Sequence, residues 1–284
     1  MDVYRQRRCA DCGLLFVDCN VSDAYLANLY SQETLQWQRD YVGHGKATPS
    51  IGTSRQPEFR EVWRVAKAIR NPATGDRLLD FGCQTGEFGA VVKDDAGLLP
   101  YGIELSADYA AAARAKWGPD ARVHEGDIES SGFQAASFAY VSAQETLEHM
   151  PDPRKVLRSF RDLIEADGIL IVSVPSSHYF ILKFWVFRLI RAASRFVGLR
   201  NKSPSHERVL VHTHLYNFTP KSLDRLLHGA GFRVEVVSGI GWHGRMARVG
   251  RVIASLVRIT TLQRVYLYPS LLCVARPVST SPRF

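Results

Sequence analysis

The sequence predicts an α/β protein: a doubly wound, seven-stranded, mostly parallel sheet with helices on both faces and helical insertions. Three observations predict it. Short apolar segments alternate with helical ones from Arg77 onward, the spacing that parallel strands and crossover helices require. A glycine-containing loop, Gly82 to Gly86, stands between the first of these strands and a helix. The run Ile169-Leu170-Ile171-Val172-Ser173-Val174, closed by Pro175, reads as a strand buried on both faces.

In chain order, Cys9-Ala-Asp-Cys12-Gly13 precedes the apolar run Leu14 to Val17. Arg60 to Ile69 reads as a helix that stops before Asn71-Pro72. Leu78 to Phe81 is the first core strand, and a helix opens at Glu87. Tyr101 to Leu105 is the second strand, followed by the alanine-rich helix Ala107 to Trp117. Arg122 to His124 and Phe138 to Ser142 are the third and fourth strands, and a helix runs from Pro153 to Ala166. After the strand 169–174, a helix starts at Thr219-Pro220, and Arg233 to Val237 and Ser270 to Ala275 complete the sheet.

At 284 residues and 46% hydrophobic content the chain suits one domain with insertions, and 23% charged residues exclude a disordered polymer. No apolar run approaches the roughly 18 residues of a membrane span. The basic N-terminus lacks the apolar stretch of a signal peptide, and five cysteines, an odd and scattered number, suit a reducing compartment. The expectation is a cytoplasmic protein.

The net charge of +8 is concentrated. Lys183, Arg188, Arg191, Arg195, Arg200 and Lys202 lie in a stretch without an acid, and so do Arg245, Arg248, Arg251, Arg258, Arg264, Arg276 and Arg283. Nucleic-acid binders carry their charge throughout or along one groove; here it sits in two discrete, apolar-rich stretches, which include insertions at about 178–205 and 241–268. Their aromatic, leucine and arginine content fits helices lying in the interface of a membrane, at its inner face. The competing reading is a lid whose apolar faces are buried over the site.

The chemistry begins at Asp80-Phe81-Gly82-Cys83-Gln84-Thr85-Gly86. Ligands of open α/β sheets bind at the carboxyl ends of the strands, where strand order reverses. Glycines admit close backbone approach, and the helix N-terminus that follows suits a carboxylate. Glu104 ends the second strand, where a carboxylate accepts both hydroxyls of a ribose. Asp127 follows the third, placed to receive an adenine amino group, with Ile128 covering the ring. Singly, either acid reads as a helix cap; in this order with the loop, they describe an adenosine site. The dinucleotide fingerprint GxGxxG does not fit, because position 84 is glutamine.

These residues resemble the class I S-adenosylmethionine-dependent methyltransferase superfamily, with its Rossmann-like fold. The segment Gln144-Glu145-Thr146-Leu147-Glu148-His149-Met150-Pro151-Asp152-Pro153 and the stretch Leu215 to Pro220 are similar to its small-molecule subgroup with a Leu-Glu-His segment. The resemblance, over about Arg60 to Val237, implies S-adenosylmethionine as cofactor, held by Asp80, Gly82, Cys83, Gly86, Glu104, Leu105, Asp127, Ile128 and Gln144. It implies a small or lipid-linked acceptor, methylated at oxygen. Nucleic acid is disfavoured as a partner, because the Asn/Asp-Pro-Pro-aromatic motif of exocyclic-amine methylases is absent after the fourth strand. Candidate bases are His149 and His214, with Glu145, Glu148 and His212 nearby; structural roles for both histidines remain open. A chain that kept these residues and lost turnover would be a membrane-associated cofactor-binding module.

Residues 1–50 read as a Cys9-x-x-Cys12 segment and lid, and residues 51–284 as the methyltransferase domain. The cysteine pair resembles half of a zinc ribbon. Zinc needs four ligands, Cys19 would be only a third, and no metal site is assigned.

Overall fold

The computed structural model describes residues 5–18, 51–196, 214–241 and 247–278; His212 and Cys19 lie outside them. Strands β1 (Arg5–Arg8) and β2 (Leu15–Asp18) form an antiparallel hairpin whose turn carries Cys9 and Cys12. Helix α1 (Ile51–Ile69) leads into β3 (Arg77–Phe81), α2 (Glu87–Ala96), β4 (Leu99–Glu104), α3 (Ala107–Trp117) and β5 (Arg122–Glu125). Next come β6 (Phe138–Gln144), the 3₁₀ turn Leu147–His149, α4 (Pro153–Leu163), β7 (Ile164–Pro175) and α5 (Ser177–Phe196). The chain continues through β8 (Tyr216–Asn217), α6 (Pro220–Gly229), β9 (Phe232–Ile240), α7 (Ala247–Thr260) and β10 (Ser270–Pro277).

The main sheet has the order β5-β4-β3-β6-β7-β10-β9, and β10 runs antiparallel to both of its neighbours. Alternate residues of each strand enter opposite layers. Leu79, Leu170, Val172 and Cys273 pack with Leu157 and Phe160 of α4 and Leu223 and Leu227 of α6. Leu78, Ile169, Ile171 and Leu272 pack instead with Val62 and Trp63 of α1 and Phe88 and Val92 of α2. This period-two division places helices on both faces, as the continuous apolar strand β7 requires.

Several predicted boundaries move, three of them with a clear cause. Helix α1 starts at Ile51 rather than Arg60, with Pro57 inside it; the proline interrupts the sequence pattern but is accommodated near the helix start. Helix α4 stops at Leu163 rather than Ala166, because Ile164 already pairs with Phe138 and opens β7. Strand β4 ends at Glu104, which leaves Leu105 beyond it and 57% exposed.

The N-terminal hairpin is tied to the main body. β2 pairs with β8, and Thr219, the N-cap of α6, donates its hydroxyl to the Cys12 carbonyl at 2.6 Å. Ser177 donates to the Gly13 carbonyl at 3.2 Å, and Asp11 pairs with Lys221 and Arg225. Residues 5–18 of the N-terminal segment thus form a clasp on the start of α6.

Phe160 is fully buried and meets Phe81 edge-on at 5.2 Å. Phe160→Ala is expected to lower unfolding free energy by about 3–5 kcal/mol, read from urea denaturation. Leu189→Ser, at a 67% exposed position of α5, should change it by less than about 0.5 kcal/mol.

Candidate functional site

The order of strands reverses between β3 and β6, and there the glycine loop leaves the end of β3. Gly82 and Gly86 hold φ angles of 70° and 77°, which side chains resist. Space forbids substitution as well. A Cβ on Gly82 would stand 2.8 Å from the Thr146 side chain, and one on Gly86 would stand 2.7 Å from Trp117 Nε1. Trp117 donates that N–H to the Gly86 carbonyl at 2.7 Å and covers the sites where Gly89 and Gly102 lack side chains. The sequence marked Trp117 only as the end of a helix, yet it is the residue on which the loop is moulded. Cys83 is buried beneath it, and burial pushes its thiol up.

Glu104 fixes the loop from the neighbouring strand. Its two carboxylate oxygens accept from the backbone N–H groups of Gln84 and Ser106, each at 2.9 Å. Gln84 takes a φ of 48° to make that bond. Each oxygen retains a second lone pair, so the same carboxylate can receive ribose hydroxyls. Asp127 lies farther out and is exposed; Ser130 donates through both backbone and side chain to its Oδ1, at 2.8 and 2.6 Å, and holds its carboxyl below the usual range. Ile128 is buried in the main core, while Leu105 is exposed at the same edge.

A narrow, partly open cleft lies over the loop, between Arg55 and Phe59 of α1, Asp80, residues 82–85 and Gln144. The guanidinium of Arg55 stacks on Phe59 at 5.0 Å. Neither residue was foreseen as part of the site; their four-residue helical spacing is the only signal the sequence offered. Gln144 donates to the Ser142 hydroxyl at 3.0 Å, while its Oε1 is buried and without a partner. The N-cap position of α2, Gly86, contributes no side-chain cap, so first-turn N–H groups are left for an anionic ligand group.

Asp80 is 3% exposed. Burial pushes its carboxyl up to about 7; a hydrogen bond to Ser142 opposes this, and the charge of Glu104 adds to it. Burial also raises Glu104. A pocket that holds two such acids favours a cationic ligand. An uncapped helix end beside them favours a carboxylate on the same molecule. The amino-acid end of S-adenosylmethionine, together with its sulfonium and ribose, satisfies both demands.

Beyond β6, Glu145 has a φ of 51°, and burial pushes its carboxyl up to about 7 against the field of Arg55. Glu148 in the following turn is fully buried, and burial with the Glu145 charge raises it well above the usual range. His149 and His214 converge on it although 65 residues separate them in sequence. Their rings lie edge-on at 4.9 Å, and their Nε2 atoms stand 3.8 and 3.9 Å from Glu148 Oε1. The Leu215 N–H donates to the Glu148 carbonyl at 2.8 Å and fastens the two segments together. Burial, with His149 beside it, lowers His214 to about 4.

The Asp80 carboxyl has a folded-state value of about 7, above its ordinary 3.8, so the folded chain holds this proton more tightly than the unfolded one. Its contribution to stability is complete below the ordinary value and is lost as pH rises through about 7. Ligand-free protein should therefore lose urea resistance between about pH 4 and pH 7, and Asp80→Asn should remove up to about 4 kcal/mol of that fall.

A sequence family described as a methyltransferase domain matches residues 58–237. A demethylmenaquinone methyltransferase of Chlorobaculum parvum is 25% identical over 177 residues, covering 60% of this chain and 69% of that protein. A trans-aconitate 2-methyltransferase of Deinococcus radiodurans is 31% identical over 106 residues, 36% of this chain and 39% of that one. A solved Burkholderia thailandensis 1,6-didemethyltoxoflavin-N1-methyltransferase, with bound 1,6-didemethyltoxoflavin and S-adenosylhomocysteine, shares the fold. It superposes with a TM-score of 0.57 over 96% of this chain and 99% of that chain, at 16% identity. With more than half of its length inside the family match and its cleft suited to the cofactor, the chain belongs to the methyltransferase-domain family and is an S-adenosylmethionine-dependent methyltransferase.

Proposed function

We propose that this enzyme methylates an oxygen atom of a small, apolar or lipid-linked acceptor, working against a membrane surface. The observation that carries the reading is how closely the proton-accepting cluster sits to the cofactor loop. Thr146 packs its side chain over Gly82 and gives its hydroxyl to the Gln144 carbonyl at 3.0 Å, with the Phe81 carbonyl at 3.4 Å, while its own carbonyl accepts from the His149 N–H at 3.1 Å. His149 thus lies three positions along the chain from the residue that packs on the donor loop, and His214 meets it across Glu148.

S-adenosylmethionine supplies a methyl carbon already activated by its sulfonium. The chain's own residues have the remaining tasks. Asp80 and the α2 N-terminus orient the amino-acid end. Glu104 and Asp127 would hold ribose and adenine, Leu105 and Ile128 would line the ring's edge, and Gly82, Cys83, Gly86 and Gln144 would shape the floor. Positioning and exclusion of water provide most of the rate. An acceptor hydroxyl must also lose a proton, and His149 and His214 stand where they can take or orient it; burial keeps His214 neutral, which suits it to accept a hydrogen bond and orient the hydroxyl rather than to hold the proton. The relatives support a small acceptor: their names specify a demethylated menaquinone, trans-aconitate and a toxoflavin precursor.

The membrane part of the proposal draws on α5 and α7. Leu182, Trp185, Val186 and Leu189 are exposed along α5, and Val249, Val252, Ile253, Leu256 and Ile259 are exposed along one stripe of α7. The Arg188 guanidinium lies 5.5 Å from the Trp185 ring centre. Both helices are rooted together, since Ser176 donates to the Tyr266 carbonyl and the Tyr266 N–H donates to His178 Nδ1. Outward apolar rows flanked by arginines suit the interface of an anionic bilayer. No helix among the described residues is long and apolar enough to cross a membrane. The Cys9–Cys12 turn is read as a zinc-ribbon remnant that persists as part of the clasp on α6.

His149→Ala and His214→Ala are each expected to lower turnover at least about tenfold while S-adenosylhomocysteine affinity, measured by calorimetry, stays within twofold. Unchanged turnover in both variants would remove the imidazoles from the reaction. Vesicles containing anionic lipid should co-sediment the protein at low salt, less so at high salt, and less for a Trp185→Ala/Leu189→Ser double variant. Protein left wholly in the supernatant at low salt would remove the membrane.

A further inference from the structure

We propose that Glu148, His149 and His214 bind a divalent transition-metal ion, zinc above all, beside the cofactor loop. The ligand atoms of these three residues all lie within 4.8 Å of one another. Both oxygens of the Glu148 carboxylate are buried with no hydrogen-bond partner. An ionised carboxylate left in that state costs several kcal/mol. The obvious relief, a hydrogen bond from either imidazole, is not made: 3.8 and 3.9 Å exceed hydrogen-bonding range. The same distances suit ligands around a shared ion. A centre roughly 2.0–2.2 Å from each donor sets tetrahedral neighbours about 3.3–3.6 Å apart, so a small side-chain rotation closes the site. Arg55, the cation whose field reaches Glu148, is drawn instead towards Glu58 at 3.4 Å and Phe59.

The donor set is informative about the ion. Two imidazoles and one carboxylate favour zinc or iron(II) over magnesium or calcium, which prefer oxygen. Three protein ligands leave at least one position open to water or substrate. An acceptor hydroxyl in that position would lose its proton to solvent water. The freed lone pair would form the bond to the methyl carbon, while the carbon–sulfur pair stays on sulfur and leaves a neutral thioether. This use of the ion rests on the O-methylation reading and gives the histidines the role of ligands in place of bases. Binding of the ion does not depend on that reading.

The test titrates metal-free protein with Co2+, following visible d–d absorption and metal content per chain. The expected result is one ion per chain, with affinity at least tenfold weaker in His149→Ala, His214→Ala and Glu148→Gln. A Cys9→Ser/Cys12→Ser variant should bind as the wild type does. S-adenosylhomocysteine binding by calorimetry, retained in the histidine variants, reports an intact fold. If wild-type protein takes up cobalt but not that nucleoside, the methyltransferase reading fails and the metal site stands. Three results would overturn the proposal: no stoichiometric uptake by the wild type, unchanged affinity in both histidine variants, or uptake abolished by the cysteine substitutions with thiolate-to-cobalt absorption in the wild type.

Discussion

Negative charge buried at the carboxyl ends of three adjacent strands is the constraint around which this molecule is arranged. Asp80 on β3, Glu104 at the end of β4, and Glu145 and Glu148 after β6 all have carboxyls that burial drives upward. A parallel sheet converges these strand ends, and helices on both faces keep water away from them. Acids in such a setting must keep protons, find donors, or wait for cations. Glu104 has found donors in two backbone amides. Asp80 has Ser142 and the prospect of a cationic ligand. Glu148 has neither, which makes it the most demanding group in the structure.

The glycine loop answers a different demand, that of shape. Its backbone is pressed between Trp117 on one side and Thr146 on the other, and the absence of side chains at Gly82, Gly86, Gly89 and Gly102 makes room for both. Local geometry and tertiary packing therefore support each other: the left-handed turn exists because glycine permits it, and it is held because a tryptophan N–H is anchored to the Gly86 carbonyl.

What the sequence disclosed and what it hid divide along contact range. Strands such as 169–174 and helix 107–117 were legible because their pattern is local and strongly periodic. The positions of the loop, Glu104 and Asp127 at the carboxyl ends of β3, β4 and β5 were legible because each lies at or just beyond the end of a short apolar strand. Helix α1 was read short since Pro57 breaks the pattern, and with its first turns went Arg55 and Phe59, the roof of the cleft. The convergence of His149 and His214 on Glu148 was hidden for another reason. It depends on the segment before β8 returning to the turn after β6, and no local periodicity encodes such a return. The clasp of Cys12 and Gly13 on Thr219 and Ser177 is long-range in the same sense.

The antiparallel strand β10 has an architectural consequence of its own. It lies directly beside β9, so a tight hairpin would have sufficed to join them. The chain instead places residues 241–269, with all of α7, in that connection. A segment not required to close the sheet can be exchanged without disturbing the register on either side. Such a connection costs little to lengthen, because loop-closure entropy grows only with the logarithm of the number of residues it spans.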